Sequence, residues 1–205
     1  MMRFTTMKTK LRKYPSIFLI LLLAIFSCFL TGCVNQHPKD SKKSSQGESV
    51  ETMLEITDPK EKQAVLNAKA KVKALSGNPR IVATSPAVAD ICDKLDLDLV
   101  GVPKSSVSKI PSRYKKVKKV GLAMSPDMEI VSSLNPDWIL APSSLETDLK
   151  PKFEELKNTE YAFLNLRSVQ GMYRSVQELG EIFGKQQEAE KMTKEFTTFY
   201  KSYTK

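Results

Sequence analysis

The sequence is poor in the residues with which most enzymes work. It has one histidine, His37, and three cysteines, Cys28, Cys33 and Cys92, none of them in a zinc-type spacing. Glycine occurs eight times, and nowhere in the pattern of a phosphate-cradling loop. With no catalytic histidine, no cysteine pair and no such loop, the chain reads as a binding or structural protein and not as an enzyme.

What is present begins with an export signal. Lys8, Lys10, Arg12 and Lys13 precede an apolar stretch from Ile17 to Leu30. About 14 apolar residues are too few for a spanning helix, which needs roughly 20. A basic start, a short apolar core and small residues before a cut site describe a signal peptide. Leu30-Thr31-Gly32-Cys33 resembles the bacterial lipobox, which implies that residues 1–32 are removed and that Cys33 carries a diacylglyceryl lipid. Two acyl chains hold a protein stably where one does not. The expectation is a lipoprotein anchored on the outer face of the cell membrane, of the Gram-positive type. The formal charge of +9 shrinks accordingly. Five of the 32 basic residues lie in the signal, so 27 basic against 23 acidic residues remain. That balance gives no ground for a nucleic-acid partner. Once Cys28 is removed and Cys33 lipidated, Cys92 is a single thiol with no internal partner.

Residues 33–57 read as the lipidated cysteine and a flexible tether, because Val34 to Val50 is rich in Ser, Lys, Gln and Asn. His37 falls here and reads as a solvated spacer. Residues 58–78 read as an amphipathic helix: Asp58 is a cap, Pro59 takes the first turn, Glu61 stands three after the cap, and Gly77 is a stop. From Arg80 onward strands and helices alternate. Strands are expected at Ile81–Thr84, Leu99–Val102, Trp138–Ala141 and Ala162–Leu166. Helices are expected at Pro86–Leu95, after a Ser125 cap, at Glu146–Lys157, at Val169–Phe183 and from Gln187 to the last residue. The fold class is therefore α/β: a single Rossmann-like lobe with a parallel sheet flanked by helices, covering residues 80–205. Ligands of such sheets bind outside the carboxyl ends of the strands.

Several stretches carry a family resemblance: Arg80-Ile81-Val82, Asp93-Lys94-Leu95-Asp96-Leu97, Val100-Gly101, Pro111-Ser112-Arg113-Tyr114, Met124-Ser125-Pro126 and Leu134-Asn135-Pro136-Asp137. Together they resemble the substrate-binding proteins of iron-chelate, haem and cobalamin ABC importers, and most of all the haem-binding lipoproteins among them. The resemblance implies two α/β lobes joined by a long helix, with ligand held between them and an ABC permease as partner. It also implies that the last helix is that linking helix, cut short, with Met192, Phe196, Phe199, Tyr200 and Tyr203 on an apolar face left without its second lobe.

Met124 is the residue the resemblance makes an axial ligand to haem iron, a role that suits a soft, neutral thioether. A methionine is otherwise most often core filler. With Ser125 as cap, Met124 would staple to Glu129, which is not apolar, so Met124 is free to face the cleft. Glu129 matches the carboxylate by which the family docks on its permease, and it also suits the first turn of a helix dipole. The basic loop from Lys104 to Val120 is either a solvated face or a partner for the two haem propionates, with Ser105, Ser106 and Lys109 as candidates. The helix start at Ala87 and Val88 offers backbone N–H groups to an anion. A second axial ligand is expected from the absent lobe. The resulting function is a haem-binding importer lipoprotein. The alternatives are a ferric-siderophore binder and a truncated, non-transporting surface lipoprotein.

Overall fold

A strand covered on both faces must be apolar at every position, and the two strands at the centre of this protein are. The computed structural model describes residues 54–203, in which β1 (Ile81–Ala83) and β6 (Trp138–Pro142) are buried throughout. The signal peptide, Cys33, His37 and most of the tether lie outside the described residues. No described helix is long and apolar enough to cross a membrane.

β2 (Leu99–Val102) and the short β3 (Lys118–Lys119) lie on one side of β1, and β7 (Glu160–Leu164) lies beyond β6. All neighbours are parallel, in the order β3-β2-β1-β6-β7. The chain steps outward from β1 to β3, then returns to the other side of β1 and steps outward again. Ile81, Val82 and Ala83 stand level with Trp138, Ile139 and Leu140 across the join. Between them β4 (Gly121–Leu122) and β5 (Ser125–Pro126) form a separate antiparallel hairpin.

Alternation along the strands divides the core in two. Ile81, Ala83, Trp138, Leu140, Ala162 and Leu164 point to one side. There they meet α1 (Pro59–Lys73), α2 (Pro86–Lys94), α5 (Val169–Phe183) and α6 (Gln186–Tyr203) through Val65, Cys92, Leu179 and Ala189. Val82, Ile139, Ala141 and Phe163 point the other way, onto α3 (Met128–Ser133) and α4 (Glu146–Glu154) through Val131, Leu149 and Phe153. The α/β lobe expected from the sequence is thus the fold observed, with a sheet between two helical layers.

Local departures have local causes. The α1 cap is Asp58, which accepts from the Lys60 N–H at 2.8 Å. Glu61 does not close a capping box; it is buried against α5 and accepts from Arg174 Nη2 at 2.6 Å. The helix ends at Lys73, short of Gly77. The fourth expected strand begins two residues early, at Glu160, because it pairs along the whole of β6 from Trp138 onward. The last helix is not left bare along its whole expected apolar face: Phe196 stacks on Tyr173 of α5 at 4.5 Å between ring centroids, while Phe199 is exposed.

Gly101 sits in the middle of β2, where three side chains converge. A Cβ there would lie 2.8 Å from Val120 Cγ1, 2.9 Å from Leu134 Cδ1 and 3.0 Å from Val82 Cγ2. Gly101→Ala should therefore destabilise the fold by about 1–3 kcal/mol, the usual cost of overpacking, as read from the midpoint of urea unfolding.

Candidate functional site

The strand order reverses between β1 and β6, and the carboxyl ends at such a reversal are where open parallel sheets hold ligands. Thr84 closes β1 by donating its N–H to Leu140 O at 3.0 Å and its hydroxyl to the same oxygen at 3.3 Å. Ser85 then caps α2, its Oγ accepting from the Val88 N–H at 3.2 Å. One of the two expected anion contacts is lost as a result. Val88 is buried and its N–H is already engaged, and Pro86 has none, so Ala87, which is exposed, alone offers a first-turn N–H.

The loop after β2 leaves from the same edge. Ser105 Oγ accepts from the Ser108 N–H at 3.0 Å, so this hydroxyl shapes its own turn, while Ser106 and Lys109 are exposed. The basic loop does not stay at this edge. To enter β3 parallel to β2 it must cross back to the amino ends of the strands. Tyr114 pins it there, its buried hydroxyl donating to Leu97 O, and Arg113 bridges Asp96 and Asp98 at 2.8 Å each. Arg113 belongs to the basic loop that the sequence leaves as either a solvated face or a propionate partner. The structure removes it to the opposite edge, where three aspartates, Asp93 among them, surround it.

Met124 occupies the turn of the β4–β5 hairpin, beyond the carboxyl end of β3, and is 74% exposed. The hairpin springs from Gly121, whose φ of 94° and whose distance of 2.9 Å from a would-be Cβ to Asp127 N leave no room for another residue. The residue capping α3 is Asp127 and not Ser125; its Oδ1 accepts from the Ile130 N–H at 3.1 Å. Ser125 is instead paired with Leu122 in the hairpin. The staple position before the cap is therefore Pro126, which is buried, as is Val131 at the position facing it. Met124 is free of that geometry altogether. Glu129 lies exposed in the first turn of α3.

Three further large apolar side chains are exposed on segments at the carboxyl edge: Val107 in the loop after β2, Leu122 in the hairpin and Val169 at the start of α5. Large exposed hydrophobics elsewhere among the described residues are only Leu66 and Phe199. At the carboxyl ends of β6 and β7 lies an open cleft of about 690 Å³ bordered by Ser143, Glu146, Thr147, Lys150, Glu154, Asn165 and Arg167. Asn165 Oδ1 accepts from the Arg167 N–H at 3.2 Å and shapes the loop that presents Arg167. The sequence reading missed Lys150 and Arg167. The available signal was position: Asn165-Leu166-Arg167-Ser168 joins a strand to a helix at the ligand edge, and Ser168 caps that helix. Among the described residues no cluster of histidine, cysteine, aspartate or glutamate could hold a metal ion.

The arrangement of strands and reversal has a known counterpart. Residues 81–205 match the model of the periplasmic binding proteins. The chain belongs to the periplasmic binding protein family. Within it, the high-affinity haem uptake system protein IsdE of Staphylococcus aureus is 36% identical over 117 residues, 57% of this chain and 39% of that protein. The crystal structure of an ABC transporter substrate-binding protein from Listeria monocytogenes EGD-e superposes with a TM-score of 0.57 at 44% identity, covering 60% of this chain and 46% of that one. S. aureus IsdE complexed with haem superposes with a TM-score of 0.56 at 34% identity over the same shares of the two chains. The siderophore-binding protein BauB, bound to acinetobactin and ferric iron, reaches 0.51 at 25% identity, over 59% of this chain and 45% of its own. The chain thus spans less than half the length of the family members it matches. These relatives are uptake and substrate-binding proteins, in line with the reading of this sequence as a non-enzyme. α1 lies outside the matched residues.

The reassigned cap can be checked directly. Asp127→Ala should lower stability by about 1 kcal/mol, as loss of a helix cap does, while Ser125→Ala should change it by less than half as much in the same urea titration.

Proposed function

We propose that this chain belongs to the substrate-binding component of an importer for haem, held on the outer face of the membrane by a lipid on Cys33. Haem is received at the carboxyl edge of the sheet. The exposure of Met124 at the hairpin turn carries this reading. A methionine serving as core filler is buried, whereas this one stands in the open on the same hairpin as the exposed Leu122. Thioether sulfur is an accepted axial donor to haem iron. The family membership and the likeness to IsdE support the same ligand.

Haem also carries two carboxylates. Ala87 N–H, Ser105, Ser106 and Lys109 remain candidates to receive them, and Arg167 and Lys150 join the set on the strength of the cleft they border. Glu129, exposed on α3, is the proposed docking carboxylate for the basic surface of an ABC permease. The described residues contain no histidine, so the opposite axial position is not supplied by them.

A second reading, a ferric-siderophore binder, draws on the likeness to BauB and on the polar lining of the cleft, where Lys150 and Arg167 stand with Glu146 and Glu154. In it Met124 makes no bond to iron.

Titration of the purified protein with haemin separates the two. The expected result is a Soret band shifted from that of free haemin, with affinity falling at least about tenfold in Met124→Ala, the loss of one coordinate bond. An unshifted band, or one indifferent to Met124→Ala, would remove haem ligation by this residue. Cys33→Ala should abolish incorporation of labelled fatty acid into the chain in a Gram-positive host; labelling that persisted would refute the anchor.

A further inference from the structure

Two buried carboxylates face each other where α1 rests on α5. Arg174, Glu178 and Glu181 follow one face of α5 at intervals of four and three residues. Glu61 and Lys69 meet this face from α1, which runs parallel to α5, with Glu61 on Arg174 and Lys69 on Glu181. Glu178 is fully buried, Glu61 is 6% exposed, and the two lie side by side. Neither oxygen of Glu178 receives an N–H or a hydroxyl, and Glu61 Oε1 and Arg174 Nε are unpartnered as well.

One arginine cannot neutralise two ionised carboxylates away from water, and a buried, unpaired charge is far too costly to persist. Two acceptors facing each other are reconciled by a proton between them. Carried on Glu178, the proton makes that carboxyl a donor to Glu61 Oε1, which turns two orphaned groups into one hydrogen bond. Glu61 keeps its bond to Arg174 Nη2 through its other oxygen.

We propose that Glu178 and Glu61 share one proton, and that this proton fastens helix α1 to the family lobe so that α1 comes loose in alkaline solution. Burial first, and then the Glu61 carboxylate, push the Glu178 carboxyl up to about 8, with Arg174 pulling the other way. Among the described residues these are the charged groups that face it; Lys62, Lys69 and Glu181 border the same interface farther along. The sign follows from a folded value raised above the ordinary 4.5. The attachment is complete in acid, below the unfolded value, and is lost as pH rises through about 8. The helix affected joins the lobe to the tether and lies outside the residues that match the family model. The proton therefore governs how firmly this lobe is held to whatever precedes it, and it does so independently of any ligand.

Hydrogen exchange of the α1 amides in the full chain, corrected for intrinsic rates, tests this at about pH 6 and about pH 9.5. Wild type should lose at least about tenfold of its protection in α1 at the higher pH while β1 and β6 stay protected. Glu178→Gln, which keeps a donor toward Glu61 but cannot ionise, should show no such loss. Equal protection of wild-type α1 at both values overturns the proposal, as does an equal loss in Glu178→Gln. Should that variant fail to fold, the infrared band of a protonated carboxyl in wild type decides. It is expected at about pH 6 and gone by about pH 9.5, and its absence at the lower pH is equally fatal.

Discussion

Everything in this lobe is referred to the pairing of β1 with β6. The two strands are far apart in sequence and lie level in space, Ile81 beside Trp138 and Ala83 beside Leu140. That register sends alternate side chains to opposite faces, so Trp138 and Leu140 meet the α1, α2, α5 and α6 side while Ile139 and Ala141 meet α3 and α4. A slip of one residue would exchange the two sets and expose both cores. The same pairing reverses the order in which strands are added. Thr84 holds the two strand ends level by giving both its N–H and its hydroxyl to Leu140.

The strands were legible because nothing else explains their composition. Ile81-Val82-Ala83 and Trp138-Ile139-Leu140-Ala141 are short apolar runs bounded by turn residues, and a parallel sheet buried on both faces is what such runs build. Helix ends were less legible, since capping is a competition between neighbouring candidates. Ser125 and Asp127 are both good caps, and the choice falls to Asp127 only because Ser125 is taken up by the hairpin with Leu122. Glu61 fits a capping box on spacing alone, yet burial against Arg174 claims its side chain. In each case a contact distant in the chain settles what local chemistry leaves open.

The candidate site was half legible for a related reason. Met124 was named from a resemblance, and what the structure adds is its exposure at the turn of a hairpin. The cations of the basic loop could not be told apart in the sequence. Seven basic residues between Lys104 and Lys119 look equivalent in the sequence, but the crossover into β3 carries Arg113 to the amino edge and ties it to Asp96 and Asp98. Arg167 and Lys150, distant in the chain from that loop, are the ones that border the cleft. Charge density along a chain says little about charge density at an edge when the chain crosses the sheet between them.

The hairpin that carries Met124 has a property of its own. Its base is rigid: Gly121 admits no side chain, Lys104 N–H is held by Gly121 O, and Asp127 N–H is held by Val120 O. Its tip touches little. A residue at that tip contributes almost nothing to the stability of the lobe, so it can be exchanged without disturbing the frame that aims it. Under the proposed ligation by Met124, ligand preference would be separated from folding, and a single replacement at the end of this fixed bracket would exchange the thioether for another donor.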